Sequence, residues 1–349
     1  MAWRSVPVYH PKAADAPVKI SVIIPARNEE HTIGQLLEAL REQTYPAPLF
    51  EVIVVDDHSE DNTAGIVRQF SFATLIQLKE DGINSYKKKA IETGINAATG
   101  DLIVTTDADC VPPASWLATM AAFRAEKESA FIAAPVVFKN NRSLLQVFQA
   151  LDFITLQGIT GAAVHRGFLS MCNGANLAYD KRVFTDVGGF TGIDAIASGD
   201  DMLLMHKIKS KYPERVHYLK SKDAIVSTRP METWKDFFRQ RIRWASKATV
   251  YKDKKITVVL TLVYLLNLCF LGLLVAGFIS PVLWLYLLGL WVAKTLIEFP
   301  FVGGVASFFG KRSLLVYFFF FQPLHIAYTI ISGLFGQFGS YQWKGRRVN

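Results

Sequence analysis

The chain has 349 residues, 51% of them hydrophobic, and a formal net charge of +8. That length allows two or three domains with buried cores, and the hydrophobic share is high for a wholly soluble protein. The positive charge is local: residues 203–255 carry 15 Lys/Arg against 5 Asp/Glu, whereas residues 1–202 carry 17 against 24. The basic excess borders a long apolar run, which argues for a membrane surface and against nucleic acid as a partner.

In chain order, Met1–Lys19 holds no apolar run, so neither a signal peptide nor a leading membrane helix is expected there. Lys19–Pro25 is a short β-branched strand ended by proline. His31–Gln43 has helical spacing through Ile33, Leu36, Leu37 and Leu40. Phe50–Asp56 is a second strand. Asn62–Phe70 follows as a helix, with Asp61 or Asn62 as its cap. Thr74–Leu78 is a third strand, Lys88–Ala98 a helix, and Asp101–Asp107 a fourth strand. Strands alternating with helices predict an α/β fold around a mostly parallel sheet covered on both faces. Ligands bind such sheets at the carboxyl ends of the strands. Ala26–Glu29, Asp56–Asp57 and Asp107–Asp109 therefore belong on one rim.

The apolar mass lies at the other end. Ile256–Ala293 has no charged residue, and as one helix it would reach about 57 Å, nearly twice a ~30 Å hydrocarbon core. Ser280-Pro281 divides it into two spans, Ile256–Ile279 and Val282–Val302. A third apolar run covers Ser313–Gln337. Lys252–Lys255 and Lys311-Arg312 flank these spans and belong on the cytoplasmic side. The tail, with Lys344, Arg346 and Arg347, is also basic. Pro323, beside Gln322 and near His325, can kink the third run. A re-entrant or interfacial third run keeps the tail cytoplasmic; three full spans put it outside. Cys110, Cys172 and Cys269 are scattered, as expected of free thiols in a reducing compartment.

Three constellations carry chemistry. Asp107-Ala-Asp109 ends a strand, so two carboxylates can turn toward one hard cation, Mg²⁺ or Mn²⁺, that also takes phosphate oxygens. A lone Asp-x-Asp is more often a solvated turn; here it shares a rim with Asp56 and Asp57. Second, Ser198-Gly199-Asp200-Asp201 offers either a general base or a helix N-cap before Met202–Ile208. Third, Gln240-Arg241-Ile242-Arg243-Trp244 lies on an amphipathic helix. Trp234, Phe237, Phe238, Ile242 and Ala245 share one face, and the opposite face is basic, as for a helix lying in a membrane interface. An arginine there can also hold a diphosphate, and a tryptophan can stack on a sugar.

Together these segments resemble family 2 glycosyltransferases of the GT-A fold. The resemblance rests on Ser21–Glu30, Glu51–Thr63, Lys87–Pro113, Cys172–Phe190, Ser198–Asp201 and Gln240–Trp244, in that order. The D, DxD, D, QxxRW set is similar to that of ceramide glucosyltransferases and of the hyaluronan, chitin and cellulose synthases. Trp343-Lys344-Gly345-Arg346 resembles the tail of lipid-glycosylating relatives. With the charge and apolar pattern above, this resemblance divides the chain into an N-terminal extension (1–18), a GT-A domain (19–230), an interfacial helix (231–255), a transmembrane region (256–337) and a basic tail (338–349). It implies that Asp57 reads a uracil ring and that Pro25, Ala26 and Glu29 line the nucleotide pocket. Lys87 stands near the nucleotide. Asp107 and Asp109 serve the metal, with Asp109 the direct ligand. Asn173, Gly174 and Ala175 lie beside the donor sugar. Asp201 is the base and Asp200 its acidic neighbour. Gln240, Arg243 and Trp244 complete the set. The sequence departs from the family pattern at Tyr86, where a glycine is usual, and at Asp200, where Glu is usual. The implied activity is an inverting transfer from a nucleotide sugar, a UDP-sugar, to a membrane lipid. The other implied activity is a processive polysaccharide synthase.

Overall fold

After one helical turn, α1 (Ala2–Ser5), the chain enters β1 (Ile20–Ala26), α2 (Ile33–Arg41), β2 (Phe50–Asp56), α3 (Thr63–Val67), β3 (Ala73–Gln77), α4 (Tyr86–Ala97) and β4 (Leu102–Thr105). Then come α5 (Trp116–Lys127), β5 (Phe131–Ala133), β6 (Val136–Phe138), α6 (Leu144–His165), β7 (Leu177–Asp180), α7 (Lys181–Asp186) and α8 (Asp200–Lys211). The remainder is β8 (Val216–Tyr218), β9 (Val226–Thr228), α9 (Trp234–Ser246), α10 (Lys254–Ala276), α11 (Leu283–Phe308), α12 (Phe318–Phe338), β10 (Tyr341–Trp343) and β11 (Arg346–Val348). The computed structural model describes residues 2–11, 17–139, 143–194, 196, 199–246, 254–338, 341–343 and 346–348. Ser198, Lys252, Lys344 and Gly345, named above, lie outside them.

The chain forms two compact units. One comprises Val6–Lys139, Thr160–Arg229 and Gln342–Asn349. Its sheet has the order β3-β2-β1-β4-β7-β5-β8. β3, β2, β1 and β4 run parallel, whereas β7 is antiparallel to both neighbours. Val22–Ile24, Val52–Val55 and Leu102–Val104 are fully or almost fully buried, as unbroken β-branched runs must be when helices cover both faces. Ala26 pairs with Asp56, so β1 and β2 end level and their loops leave from one rim. Gly94 lets α4 lie close on this sheet, because a Cβ there would sit 2.6 Å from Ile23 Cγ2.

Several expected elements shift. The helix expected over Asn62–Phe70 ends at Val67; the Phe70 amide turns back to the Val67 carbonyl. Its capping oxygen is Asp61 Oδ1, which accepts from Thr63 N at 3.0 Å. The cap of α8 is Gly199, in the left-handed region at φ 79°, which puts Asp200 and Asp201 in the first turn.

The other unit comprises Met1–Ser5, Asn140–Ile159 and Pro230–Tyr341. Among the described residues four helices are long and apolar enough to cross a membrane: α6, α10, α11 and α12. The apolar sequence of α6 had given no expectation of a helix there, and most of it is buried in protein. The other three expose their apolar side chains; Leu262 is 62% exposed, Ile297 77% and Phe320 72%. Apolar faces of that extent need a non-aqueous environment. Ser280 and Pro281 lie between α10 and α11, where the break was expected. α12 continues through Pro323 after a 3-10 turn over Arg312–Tyr317. Lys294 Nζ donates to Glu298 Oε2 at 2.7 Å and to Gln322 Oε1 at 2.5 Å, and Gln322 Nε2 donates to Glu298 Oε2 at 3.0 Å. These polar groups of α11 and α12 therefore satisfy one another.

Candidate active site

β2 delivers Asp56 and Asp57 to the rim, where both are almost completely buried. Ser59 N donates to Asp56 Oδ1 at 3.2 Å. Asp57 Oδ1 lies 3.0 Å from His58 Nδ1, and His58 Nε2 lies 3.2 Å from Asp81 Oδ1. His58 and Asn28 hold positive φ, 52° and 50°, a conformation that costs free energy in a residue with a Cβ and persists where surroundings enforce it. The buried Arg27 supplies that enforcement: its guanidinium donates to the carbonyls of Asp57 and His58, each at 2.9 Å. Tyr86, where the family pattern has glycine, sets its ring edge-on to His58 and accepts the Gly82 N–H at 2.9 Å. Pro25 and Ala26 close β1 beside this loop. Glu29 N donates to Thr63 Oγ1 at 2.7 Å, and its carboxylate accepts from Thr32 Oγ1 at 2.6 Å.

The acidic centre forms where the first turn of α4 meets the loop after β4 and the first turn of α8. Lys87 Nζ donates to Asp107 Oδ1 at 2.7 Å and lies 3.3 Å from Asp200 Oδ2. Burial alone would lower the Lys87 pKa, but the charges of Asp107, Asp200 and Asp201 outweigh it, and the pKa is raised. The ammonium is therefore fully charged. Asp201 Oδ2 accepts from Gly174 N at 3.1 Å and Asp201 Oδ1 from Met202 N at 2.7 Å. A Cβ on Gly174 would meet Asp200 Oδ2 and Lys87 Nζ, both at 3.3 Å, so this glycine lets backbone approach the charged cluster. Asn173 Oδ1 accepts from Ala175 N at 3.0 Å, and Thr106 Oγ1 donates to the Ala175 carbonyl at 2.9 Å, which ties the loop to the end of β4. Asp109 Oδ2 accepts from Thr228 Oγ1 at 3.1 Å. Burial, and then Asp109 and Asp107, raise the pKa of the neighbouring Cys110 thiol, so it stays protonated.

Lys87, Asp107, Gly174, Asp200 and Asp201 are thus brought together. Asp57 stands at the end of β2, separated from β4 by β1, and contacts His58. Gln240, Arg243 and Trp244 belong to the other compact unit, on α9. The amphipathic reading of that helix needs one correction. Arg241, which helical spacing sets among the apolar residues of that face, is buried at 3% side-chain exposure against Asp152, while Trp234, on the same face, is 44% exposed. Gln240 Oε1 is buried with no hydrogen-bond partner among the described residues. Sequence reasoning passed over Arg27, His58, Asp81, Thr228 and Asp152. Of these, Arg27 and His58 carried a signal, as chain neighbours of Ala26 and Asp57.

Asp107 and Asp109 offer carboxylate oxygens alone, the donor type that Mg²⁺ and Mn²⁺ take. Among the described residues no group of three His, Cys, Asp or Glu is arranged to hold a metal ion by itself. A cation here would complete its shell with donor phosphate oxygens and water, and the two aspartates fit that mode.

A model of the family Glycosyl transferase family 2 matches residues 21–188. The chain is 30% identical over 249 residues to the probable glycosyltransferase YdaM of Bacillus subtilis, covering 69% of this chain and 58% of that protein. It is 24% identical over 233 residues to the poly-beta-1,6-N-acetyl-D-glucosamine synthase of Staphylococcus epidermidis, covering 65% and 53%. The chain thus spans little more than half the length of these relatives. The mannosyltransferase PcManGT of Pyrobaculum calidifontis, solved with GDP-Man and Mn²⁺, superposes with a TM-score of 0.57 at 18% identity, covering 95% of this chain and 91% of that one. Residues 21–188 therefore match the family 2 glycosyltransferase domain, on a GT-A fold.

Proposed function

We propose that this chain is a membrane-anchored, inverting glycosyltransferase that moves a sugar from a UDP-sugar to the hydroxyl of a membrane lipid. The observation that carries the reading is the single charged cluster of Lys87, Asp107, Asp200 and Asp201. It sets a carboxylate of the metal motif beside the carboxylates assigned to base chemistry, as a donor leaving group and an acceptor nucleophile on one carbon require.

In this reading Asp57 accepts from the uracil ring, with Pro25, Ala26 and Glu29 around the nucleotide. Asp201 takes the proton of the acceptor hydroxyl, whose oxygen bonds to the anomeric carbon while that carbon's bond to the diphosphate oxygen breaks. Gly174 N–H and Met202 N–H hold the Asp201 carboxylate in one orientation. Asp200, through Lys87, stays linked to Asp107. Asn173, Gly174 and Ala175 flank the donor sugar, and Gln240, Arg243 and Trp244 serve the leaving diphosphate. Asp109 and Asp107 would hold Mg²⁺ or Mn²⁺, whose chemistry is to offset charge on that diphosphate. PcManGT, solved with Mn²⁺, supports the choice of metal.

The exposed apolar faces of α10, α11 and α12 support anchoring in a bilayer. The basic residues before α10 and at Lys311-Arg312 support a cytoplasmic catalytic domain. A catalytic domain held at a bilayer surface would support a lipid acceptor. The similarity to a poly-beta-1,6-N-acetyl-D-glucosamine synthase favours a second reading, processive synthesis. One experiment separates them: detergent-purified protein, a panel of nucleotide sugars, a membrane lipid extract and mass analysis of the product. One sugar on a lipid is the expected result, and a long polymer would replace the first reading with the second.

A further inference from the structure

In the unit that carries α9, one stripe of α6 packs against both α9 and α12. Leu145, Phe148, Gln149 and Asp152 recur at i, i+3, i+4 and i+7 and so share a face. Leu145 and Phe148 pack with Phe237 of α9 and Tyr328 of α12. Gln149 takes both backbone groups of Met231, just ahead of α9: Nε2 donates to its carbonyl and Oε1 accepts from its amide, each at 2.9 Å. One turn on, Asp152 Oδ2 lies 2.6 Å from Arg241 Nη2, and Asp152 Oδ1 accepts from Tyr328 Oη at 2.6 Å. His325 Nε2 lies 3.9 Å from the same oxygen. The guanidinium sits 4.3 Å from the ring of Trp244, 5.1 Å from that of Phe237 and 5.8 Å from that of Tyr328. Trp244 in turn tilts against Phe153 at 6.2 Å.

A charge pair buried this far is a poor source of net stability, because desolvation offsets the attraction, and apolar residues of like volume fold as well or better. What such a pair does supply is direction: here the opposite charges meet at 2.6 Å without hydrogen-bond geometry, and any other register leaves a buried charge alone. Here the register concerns α9. Arg241 directly follows Gln240 and lies two residues before Arg243, and Trp244 sets one face against the guanidinium.

We propose that Asp152, Arg241 and Tyr328 are positioning residues for sugar transfer. They fix the rotation and axial register of α9, and so the placement of Gln240 and Arg243, which makes α12 part of the scaffold of the reaction. The inference rests on the proposed role of Gln240 and Arg243 in holding the donor diphosphate.

The test uses the full chain in detergent or lipid nanodiscs, with kcat, donor KM and Tm measured together. Asp152→Asn and Arg241→Met, each leaving an unmatched buried group, are expected to lower Tm and to lower kcat at least tenfold. The double variant D152L/R241M removes both charges. It is expected to recover most of the Tm and keep kcat at least tenfold down, with donor KM within threefold of wild type. Tyr328→Phe leaves no charge unmatched and is expected to keep Tm while kcat falls three- to tenfold. Wild-type kcat in the folded double variant overturns the proposal, since the pair would then be merely structural. Should the double variant not fold, Tyr328→Phe decides alone, and wild-type kcat there overturns it. Arg243→Ala separates the two layers. An inactive Arg243→Ala beside fully active lock variants sinks the positioning role only, whereas an active Arg243→Ala sinks the diphosphate reading beneath it.

Discussion

Lys87 Nζ stands 2.7 Å from Asp107 Oδ1, joining the first helical turn of α4 to the first carboxylate of the Asp-x-Asp motif. The same ammonium faces Asp200. One cation thus balances carboxylates that come from two distant stretches of sequence.

Replacing Lys87 should leave those carboxylates repelling one another. Lys87→Met is expected to lower kcat/KM about 100-fold, some 2.7 kcal/mol of transition-state stabilisation. Lys87→Arg should keep part of the activity, because the charge is retained. Initial rates across a donor series measure both, and a Lys87→Met variant within threefold of wild type would contradict the role.

Chelation should stop the reaction. Excess EDTA is expected to remove activity, and added Mg²⁺ or Mn²⁺ to restore it. Asp109→Asn should nearly abolish turnover at any metal concentration, since an amide is a much poorer ligand for a hard cation. Full activity in EDTA would exclude the metal.

Asp201→Asn is expected to lose kcat while nucleotide binding, followed by calorimetry, persists, because a base acts in the transition state. An inactive Asp200→Asn beside an active Asp201→Asn would move the base by one residue. Gly174→Ala tests the same corner by shape. Its Cβ would press on Asp200 Oδ2 and Lys87 Nζ, so kcat should fall about tenfold with little change in Tm.

Acid stability should depend on Glu51. Burial would raise its pKa, but hydrogen bonds from Ser21 and Thr99 and the charge of Lys19 outweigh this, and the pKa is lowered. A carboxylate with a lowered folded pKa stabilises the fold above its unfolded value, about 4.3, and loses that contribution as pH falls through the folded value. Between about pH 5 and pH 3 the Tm of wild type should drop more steeply than that of Glu51→Gln. Parallel curves would mean that Glu51 carries no linkage.

The path of α12 predicts where the tail lies. Tyr328 packs on Phe237, and the Cβ position of Gly336 lies 2.8 Å from Ala245 Cβ. The second half of α12 therefore runs alongside α9, in the same direction. If α9 lies in the interface, as its sequence leads one to expect, this half of α12 does not cross the hydrocarbon core. A cysteine introduced at Asn349, with the three native cysteines removed, should resist a membrane-impermeant thiol reagent in intact cells. Labelling there would mean three full spans.

The first half of the chain was legible because each element there carries its own signal. β2 was read to the residue, and β1 and β3 within one, since buried parallel strands are unbroken β-branched runs. β5, β6, β8 and β9 have three residues each, too few for a periodic signal. α6 escaped because it is apolar around most of its surface, so no amphipathic period marks it. The acidic rim followed from one rule about strand ends. What holds that rim did not: His58 depends on Asp81 and Asp109 on Thr228, pairings that exist only once distant segments have met.

Lys294 and Glu298 stand one turn apart on α11, and their opposite charges meet within that helix. The segment can be released from the translocation machinery into lipid as an electrically neutral rod before any later helix has been synthesised. Gln322, arriving afterwards on α12, bonds to both partners and finds its docking position already marked. Separating the pair, as in Glu298→Gln, would strand a lone ammonium on the helix during biogenesis, when neither water nor a finished bundle is at hand to receive it. The fault would then show first as lost yield of inserted protein, ahead of any defect in the molecules that do mature.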